Sequence, residues 1–192
     1  GLMTLVGELV LSRITQETHD VKTFRFTNPD GGPLPFEHIA GQYLNLALTI
    51  DGKRVNRSYT ISSSPTRNAY VEISVKRDGL ASKFLHATIK EGDTIKVGAA
   101  AGKFYFAGTE SKRVILVAGG VGITPMMAVI RSLTDRAWPG DMFQIFAVKE
   151  RKDAQHAELK VGVRADPLVQ AVLARFPGAE IVDVRKADAG PA

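Results

Sequence analysis

The first part of the chain, up to about residue 107, alternates apolar and polar residues in the way that β-strands do. Residues 43–50 and 71–76 show this most clearly, with leucine, isoleucine or valine at every second position. A strand of this kind buries one face and leaves the other in water. Turn-forming residues separate the segments, as at Asp51-Gly52 and at 28–33. We therefore predict an antiparallel β-barrel, interrupted by one helix over residues 80–89.

The pattern changes after residue 110. Residues 114–118 form a continuous apolar run, which is typical of a parallel strand covered on both faces. A glycine-rich segment, 119–125, follows it and leads into apolar residues at helical spacing, with Thr124 as the expected N-cap and Pro125 as the first helical residue. A second buried strand is predicted over 142–148. This order is a β-α-β unit of a Rossmann-like α/β domain.

Two domains follow from these patterns. We expect a β-barrel domain over 3–109 and an α/β domain over 110–192, shortened or divergent after about residue 158. In the tail, residues 166–175 have helical character and residues 180–184 form a short apolar strand, which makes about three parallel strands in all.

Composition limits the chemistry. At 192 residues, with 44% hydrophobic and 23% charged residues, the chain can fold into two small domains with real cores. It contains no cysteine, which removes disulfides, thiolate metal sites, cysteine nucleophiles and any iron-sulfur cluster carried by this chain. We predict no metal site, so redox chemistry would depend on a bound organic cofactor.

Charge and hydropathy indicate which partners and which cellular location to expect. The net charge of +5 comes from scattered Lys and Arg residues, which argues against nucleic acid and suits phosphate-bearing cofactors and acidic partners. No apolar run reaches the roughly 20 residues of a membrane span, and no secretory signal is recognisable. A cytoplasmic location without membrane association is expected.

The most informative motif is Arg57-Ser58-Tyr59-Thr60, between two alternating strands. An arginine can hold phosphate bidentately, and an aromatic two residues later on the same face can stack on a flat heterocycle. A hydroxyl beyond it can bond a ring nitrogen. Binding of a flavin mononucleotide group requires these three interactions. A surface arginine and a packed tyrosine also explain the motif taken alone.

Two further segments are candidate anion sites. Gly79-Leu80-Ala81-Ser82 opens the predicted helix, where main-chain N–H groups and the Ser82 hydroxyl could hold phosphate, or simply cap the helix. Residues 119–125 place glycines between a strand and a helix, where the backbone can approach a pyrophosphate. This segment is not the G-x-G-x-x-G fingerprint, and no P-loop lysine follows it.

The order of these motifs resembles the ferredoxin-NADP reductase family, most closely the reductase halves of flavohaemoglobins and bacterial oxygenase reductases. The resemblance covers roughly residues 5–159. Besides the three segments above, it is carried by Ile73-Ser74-Val75-Lys76-Arg77, Glu91-Gly92-Asp93 and Gly102-Lys103-Phe104.

The resemblance implies roles for individual residues. Arg57 would contact the flavin phosphates, Tyr59 would pack on the isoalloxazine and ribityl, and Thr60 would bond near flavin N5, so that Tyr59 and Thr60 are the catalytic candidates. Main-chain groups of β-strand residues would hold the pyrimidine side, and the helix start would hold the pyrophosphate. The implied cofactor-binding set is Arg57, Ser58, Tyr59, Thr60, Val75, Lys76, Leu80, Ala81, Ser82, Gly120, Gly122 and Thr124.

The implied function is a flavin-dependent NAD(P)H oxidoreductase. FAD is the expected cofactor, with FMN second, NAD(P)H is the electron donor, and a ferredoxin or oxygenase component is the redox partner. Basic residues within 149–152 would favour NADPH, whereas Glu150 would favour NADH. His86 is interpreted as a histidine at the edge of the core.

The chain departs from the family pattern near its end. The two further strands, the Cys-Gly motif and the C-terminal segment of the family are missing. Residues 166–180 fit either the family's next helix and strand or a tail like that of bacterial DNA polymerase III tau subunits. The alternative function is therefore a flavin-binding module with an incomplete nucleotide domain, acting in assembly or sensing.

Overall fold

The computed structural model of the protein describes residues 5–119, 122–147, 170, 174 and 179–185. The elements follow the predicted order, with antiparallel strands first and a β-α-β unit after them. They are β1 (Leu5–Gln16), β2 (Val21–Thr27), β3 (Tyr43–Ile50), β4 (Lys53–Thr60), β5 (Val71–Lys76), α1 (Leu80–Ala87), β6 (Thr94–Gly98), β7 (Arg113–Gly119), α2 (Ile123–Asp135), β8 (Asp141–Ala147) and β9 (Ala179–Arg185).

Six strands form one curled antiparallel sheet in the order β4-β3-β6-β1-β2-β5. The curl brings the two edge strands together at one end, where Ile61 pairs with Ile73 in an isolated bridge. The Ser62 N–H donates to the Glu72 carbonyl beside it, at 2.8 Å. The sheet is therefore a half-barrel whose edges meet at a single point among the described residues.

The apolar residues of the alternating pattern are the ones that the sheet buries. In β3, Leu44 and Leu46 are 0% exposed, and in β5, Val71 and Ile73 are also 0% exposed. These side chains meet those of β1 and β2 inside the curl in one apolar core. Burying a side chain of this size stabilises the fold by about 1.5–3 kcal/mol, so the half-barrel has a sufficient core of its own.

Two turns predicted from composition are present. Asp51 and Gly52 both have positive φ, 50° and 74°, as a two-residue hairpin turn between β3 and β4 requires. In the segment 28–33, the Gly31 N–H donates to the Asn28 carbonyl at 3.0 Å, and the Gly32 N–H donates to the Asp30 carboxylate at 2.7 Å. The first turn keeps the neighbouring strands β3 and β4 in register, and the second turns the chain at the end of β2.

The second unit contains the predicted β-α-β arrangement. β7 and β8 are parallel, and α2 between them packs Met126 and Leu133 against Leu116. β9 pairs antiparallel with β8 on its other side, in the order β7-β8-β9. The expectation of a third parallel strand was therefore wrong, because an apolar pattern reports burial and does not report strand direction.

Both helices differ slightly from their predicted limits. α1 ends at Ala87 with Thr88 as C-cap, two residues before the predicted end. α2 begins at Ile123 with Gly122 as N-cap, so Thr124 is not the N-cap. Pro125 is tolerated inside the first turn because N–H groups there have no intrahelical acceptor. Neither helix has the length and apolarity that a membrane crossing demands, within the part of the chain that is described.

Loop contacts join the half-barrel to the segment that leaves it. The Phe106 N–H donates to the Ala40 carbonyl at 3.0 Å, and Ala40 belongs to the apolar core of the second unit. Gly41 beside it has φ 110°, and a Cβ there would lie 2.4 Å from the Phe104 carbonyl oxygen. Only glycine allows this close approach.

Candidate functional site

The candidate site lies where the half-barrel is open. β4 and β5 are the edge strands, and beyond the Ile61–Ile73 bridge they are not paired with each other. α1 starts directly after β5, so its N-terminus lies beside the same gap. We call this gap the cleft; it is bounded by β4 residues 57–60, β5 residues 74–76 and the α1 start 78–82.

Arg57 and Tyr59 share the inward face of β4. Tyr59 pairs with Leu44 and Arg57 with Leu46, two inward residues of β3. Burial raises the pKa of the Tyr59 hydroxyl, the Arg57 cation lowers it, and the Asp78 carboxylate raises it again. Asp78 precedes α1, so a charge at the helix start acts on the Tyr59 hydroxyl from the other side of the cleft.

Arg57 is available for a ligand. Its side chain is exposed, and its Nη1 donates only to the neighbouring Asn56 carbonyl, at 2.9 Å. Within the described residues Arg57 forms no ion pair. A guanidinium without a carboxylate partner, at the rim of a cleft, can bind phosphate bidentately.

Ser58 and Thr60 lie on the opposite face of β4. The Ser58 hydroxyl donates to the Asn45 side-chain oxygen at 2.6 Å, so this group is already engaged. Thr60 pairs with Tyr43, is half-buried and is the last residue of the strand. The predicted residues of β4 therefore do not all share one face: Arg57 and Tyr59 face inward, and Thr60 stands at the strand end.

β5 supplies main-chain groups, one of which is engaged. Val75 is 2% exposed, and its carbonyl accepts a hydrogen bond from His86 Nε2 at 2.7 Å. The Lys76 ammonium lies 3.8 Å from the Asp20 carboxylate. His86, interpreted from the sequence as a histidine at the edge of the core, thus fastens the end of α1 to the cleft strand.

The start of α1 presents main-chain donors. The Ser82 hydroxyl is 4% exposed and accepts from the N–H groups of Asp78, at 3.0 Å, and Gly79, at 2.8 Å. That hydroxyl is therefore engaged in the helix start. The first intrahelical bond runs from the Lys83 N–H to the Gly79 carbonyl, so the N–H groups of Leu80, Ala81 and Ser82 have no intrahelical acceptor.

Space is open at Gly79, the residue that precedes these donors. A Cβ on Gly79 would meet nothing closer than the Ser82 hydroxyl at 4.0 Å, and the Gly79 backbone is extended, with φ −143°. Any residue could therefore occupy this position sterically. Leu80 is 61% exposed and Ala81 is 3% exposed, and neither side chain carries a polar group, so a phosphate could be bound only through their main chain. A helix N-terminus with free donors and open space suits a phosphate group.

The glycine-rich segment of the second unit is only partly described. Gly120 lies outside the described residues, as do residues 149–152 and most of the predicted helix 166–175. A Cβ on Gly122 would meet nothing within 4 Å. Thr124 is 5% exposed, inside the first turn of α2. This end of α2 therefore combines open space at Gly122 with a buried threonine.

Sequence reasoning gave no role to the three serines that follow β4. Ser62, Ser63 and Ser64 are 2%, 1% and 3% exposed. The Ser63 hydroxyl accepts from the Glu72 N–H at 2.9 Å, and the Ser74 hydroxyl donates to that of Ser62 at 3.3 Å. The run of small hydroxyl residues directly after the motif was the signal, and its role is to fasten the end of β4 to β5.

His38 is a second residue that the sequence did not single out. Its Nε2 is buried and has no hydrogen-bond partner among the described residues. Burial lowers the pKa of His38, and a hydrogen bond to the Ser63 backbone partly opposes this. A neutral imidazole therefore lies beneath the serine segment.

Comparison with known proteins identifies the family. The model of the oxidoreductase FAD-binding domain matches residues 8–106, which include all of the half-barrel except the first three residues of β1. The chain therefore belongs to the family of oxidoreductase FAD-binding domains, and FAD is its cofactor.

Individual relatives carry the likeness beyond the half-barrel. The glycine betaine monooxygenase reductase subunit of Pseudomonas aeruginosa (strain UCBPP-PA14) is 38% identical over 151 residues, covering 77% of this chain and 41% of that protein. The flavohemoprotein of Bacillus subtilis (strain 168) is 30% identical over 174 residues, covering 89% and 43%. The chain thus spans less than half the length of these relatives.

The fold has close solved counterparts. The flavohem-like FAD/NAD binding domain of nitric oxide dioxygenase from Vibrio cholerae O1 biovar El Tor superposes with a TM-score of 0.70 at 29% identity. The alignment covers 84% of this chain and 70% of that domain. The half-barrel is therefore the flavin-binding fold of ferredoxin-NADP reductase-like proteins.

A second family model matches the other end of the chain. It is that of the C-terminal part of DNA polymerase III gamma and tau subunits, over residues 128–184. The match begins inside α2 and includes β8 and all but the last residue of β9. The tail resemblance proposed from residues 166–180 is therefore found independently, and it extends further toward the N-terminus than the sequence reasoning placed it.

The residues of the cleft fit FAD. Arg57 supplies a cation that forms no ion pair with any described residue, α1 supplies N–H groups without an intrahelical acceptor next to the open space at Gly79, and Tyr59 supplies an aromatic face that is half-buried against the core. These groups lie on three elements around one gap. They can hold phosphate at two points and a flat ring between the edge strands.

Proposed function

We propose that this protein is the flavin-containing part of an NAD(P)H-dependent oxidoreductase that passes electrons to a partner protein. The observation that carries the proposal is the convergence of Arg57, Tyr59 and the α1 start on one cleft in a chain of the FAD-binding family. FAD supplies the chemistry when bound, since it can take a hydride from a nicotinamide and release electrons singly.

Each cleft residue would then have a separate task. Arg57 and the N–H groups of Leu80, Ala81 and Ser82 would bind the flavin phosphates. Tyr59 would hold the ring system in place and exclude water from its inner side, because it already packs against the core of the half-barrel. Thr60, at the end of β4, would place its hydroxyl near the reactive edge of the ring.

The second unit would bind the nicotinamide nucleotide. β7, α2 and β8 form a β-α-β unit, and the open space at Gly122 lies at the N-terminal end of α2. A helix N-terminus at the carboxyl end of a parallel strand favours the phosphates of a dinucleotide. We propose this unit as a Rossmann-like NAD(P)H-binding domain, with the domain boundary in the segment between β6 and β7.

The partner would be a ferredoxin or an oxygenase component in the same cytoplasmic compartment. Support comes from the Pseudomonas aeruginosa relative, which is a monooxygenase reductase subunit. The +5 net charge is compatible with an acidic partner of this kind.

The test is a two-step spectroscopic experiment. The purified protein is first titrated with FAD, and we expect uptake with the absorbance spectrum of a bound flavin. The loaded protein is then mixed with NADH or NADPH in a stopped-flow instrument, and the flavin absorbance should bleach rapidly with one of them. A protein that fails to take up FAD at saturation would contradict the proposal at its first step.

A second candidate function is favoured by the polymerase-subunit match. Residues 128–184 match the gamma and tau C-terminal model, and β9 runs antiparallel where the family pattern predicts another parallel strand. The protein would then be a flavin-binding module whose second unit serves assembly or sensing. Normal FAD uptake without bleaching by either nucleotide would favour this second function over the first.

A further inference from the structure

Four hydrogen bonds join the segment after β4 to helix α2. Arg67 donates to both oxygens of Asp135, from Nε at 3.2 Å and from Nη2 at 3.1 Å. The Thr66 hydroxyl also donates to Asp135. One helical turn earlier, Arg131 Nη1 donates to the Ser62 carbonyl at 2.7 Å. We call this group of five residues the latch.

The half-barrel side of the latch is rigid. Ser62 follows Thr60 by two residues, and its N–H donates to the Glu72 carbonyl of β5 at 2.8 Å. Ile61 between them pairs with Ile73. The latch therefore attaches α2 to the same short segment that ends the cleft strand.

The other side of the latch is equally well fixed. Arg131 and Asp135 are four residues apart in α2 and so lie on one face of the helix. The opposite face packs Met126 and Leu133 against β7 in the second core. The latch thus controls the placement of the whole β-α-β unit, because α2 cannot tilt independently of its sheet.

The carboxylate at the centre of the latch is strongly stabilised as an anion. Hydrogen bonds from Arg67 and Thr66 lower the pKa of Asp135 to about 2. Its side chain is 22% exposed, whereas that of Arg67 is 57% exposed. The pair therefore stays ionised throughout the physiological pH range.

We propose that Thr66, Arg67 and Arg131 are positioning residues. Through their hydrogen bonds to Asp135 and to the Ser62 carbonyl, they hold the N-terminus of α2 at a set distance from the flavin cleft. This inference rests on the proposed function for its catalytic consequence. Its structural part, the fixed placement of the two units, stands independently.

The length of α2 makes the latch effective. Its 13 residues span about 20 Å, with the latch at one end and Gly122 at the other. A tilt of about 5° around the latch would move the far end by about 1.7 Å over that length. Misplacement of reacting groups by about 1 Å can slow a reaction on the order of a hundredfold.

The test compares Arg67→Ala, Asp135→Ala and the double variant with Arg25→Ala as a matched control. Arg25 forms a similar pair with Glu72, at 3.2 Å, but both residues belong to the half-barrel. The chain has no cysteine, so Thr94→Cys on β6 and Thr134→Cys on α2 can carry spin labels. The distance distribution between the labels is measured in each variant without any cofactor or substrate.

We expect a wider distribution in both single latch variants, no further widening in the double variant, and no change in Arg25→Ala. In the FAD-loaded protein the rate constant of flavin bleaching by NAD(P)H should fall about tenfold or more, with FAD affinity unchanged. Arg67→Lys should restore part of the rate.

The outcomes separate the two proposals. An unchanged distance distribution in both single variants would overturn the latch, whether or not the protein reduces its flavin. A widened distribution with an unchanged bleaching rate would overturn the positioning role. If the wild-type protein takes up FAD but is bleached by neither nucleotide, the proposed function fails, and the spin-label distances still decide the structural part.

Discussion

Replacing Arg57 by alanine should weaken FAD binding without weakening the fold. The Arg57 side chain is exposed, and its one hydrogen bond within the part of the chain that the structure describes is to the carbonyl of the preceding residue, Asn56. Truncation leaves no buried group without a partner. We therefore expect the free energy of unfolding of the FAD-free protein to change by less than about 0.5 kcal/mol.

The loss of FAD affinity should be much larger. A charge-assisted hydrogen bond to phosphate contributes on the order of 2 kcal/mol, which corresponds to roughly thirtyfold in affinity. Arg54→Ala is the matched control, because Arg54 is an exposed arginine of the same strand on the opposite face. At about 10 Å through water, a single charge contributes only about 0.4 kcal/mol before salt screening, so less than about twofold is expected.

The assay is a titration of the FAD-free proteins with FAD, in which quenching of the flavin fluorescence reports binding. The salt concentration is about 0.15 M, where the screening length is about 8 Å. Urea unfolding of the same samples provides the stability control. Equal losses in Arg54→Ala and Arg57→Ala would refute the reasoning, because they would indicate general attraction and no specific phosphate contact. No loss in Arg57→Ala would place the phosphates elsewhere.

Three further predictions test other parts of the structure. Gly79→Asn should stabilise the FAD-free protein by about 0.3 kcal/mol through helix capping, and yet it should weaken FAD binding about tenfold, because the asparagine oxygen would accept from N–H groups that a phosphate needs. Thermal melting measures the first effect and FAD titration the second. An unchanged affinity for FAD would count against a phosphate site at α1. Gly41→Ala should destabilise the protein by about 2 kcal/mol or more, because φ is 110° and the new Cβ would lie 2.4 Å from the Phe104 carbonyl oxygen; a wild-type urea midpoint would show that the loop can adapt. His38 has a lowered pKa, so between that value and 6.5 the unfolded chain binds a proton that the native protein excludes, and stability should fall as the pH drops below 6.5. His38→Gln should remove this part of the pH dependence, which urea unfolding between pH 5.5 and 7.5 measures. A slope of stability against pH that persists unchanged in the variant would contradict the prediction.

Several features were within reach of the sequence because they depend on local periodicity. The alternation over 43–50 and 71–76 predicted which side chains the half-barrel buries, and the same period placed Arg57 and Tyr59 on one face of β4. The turn at Asp51-Gly52 followed from residues that tolerate positive φ. The helix after Gly79 was predicted with its correct start.

Other features depended on contacts between distant segments. The strand direction of β9, the engagement of the Ser82 hydroxyl with the backbone before α1, and the bond from His86 to the Val75 carbonyl have no local pattern. The position of Thr124 was misjudged because a threonine before a proline satisfies the N-cap rule equally well outside or inside the first turn.

The sequence by itself determined the class of protein, since the order of the motifs proposed to bind phosphate and flavin can be read along the chain. Only the tertiary structure decided where the two units meet. The latch between Arg67 and Asp135 joins residues 68 positions apart. A salt bridge of this kind arises from the geometry of two packed surfaces, and no periodicity along the chain records it.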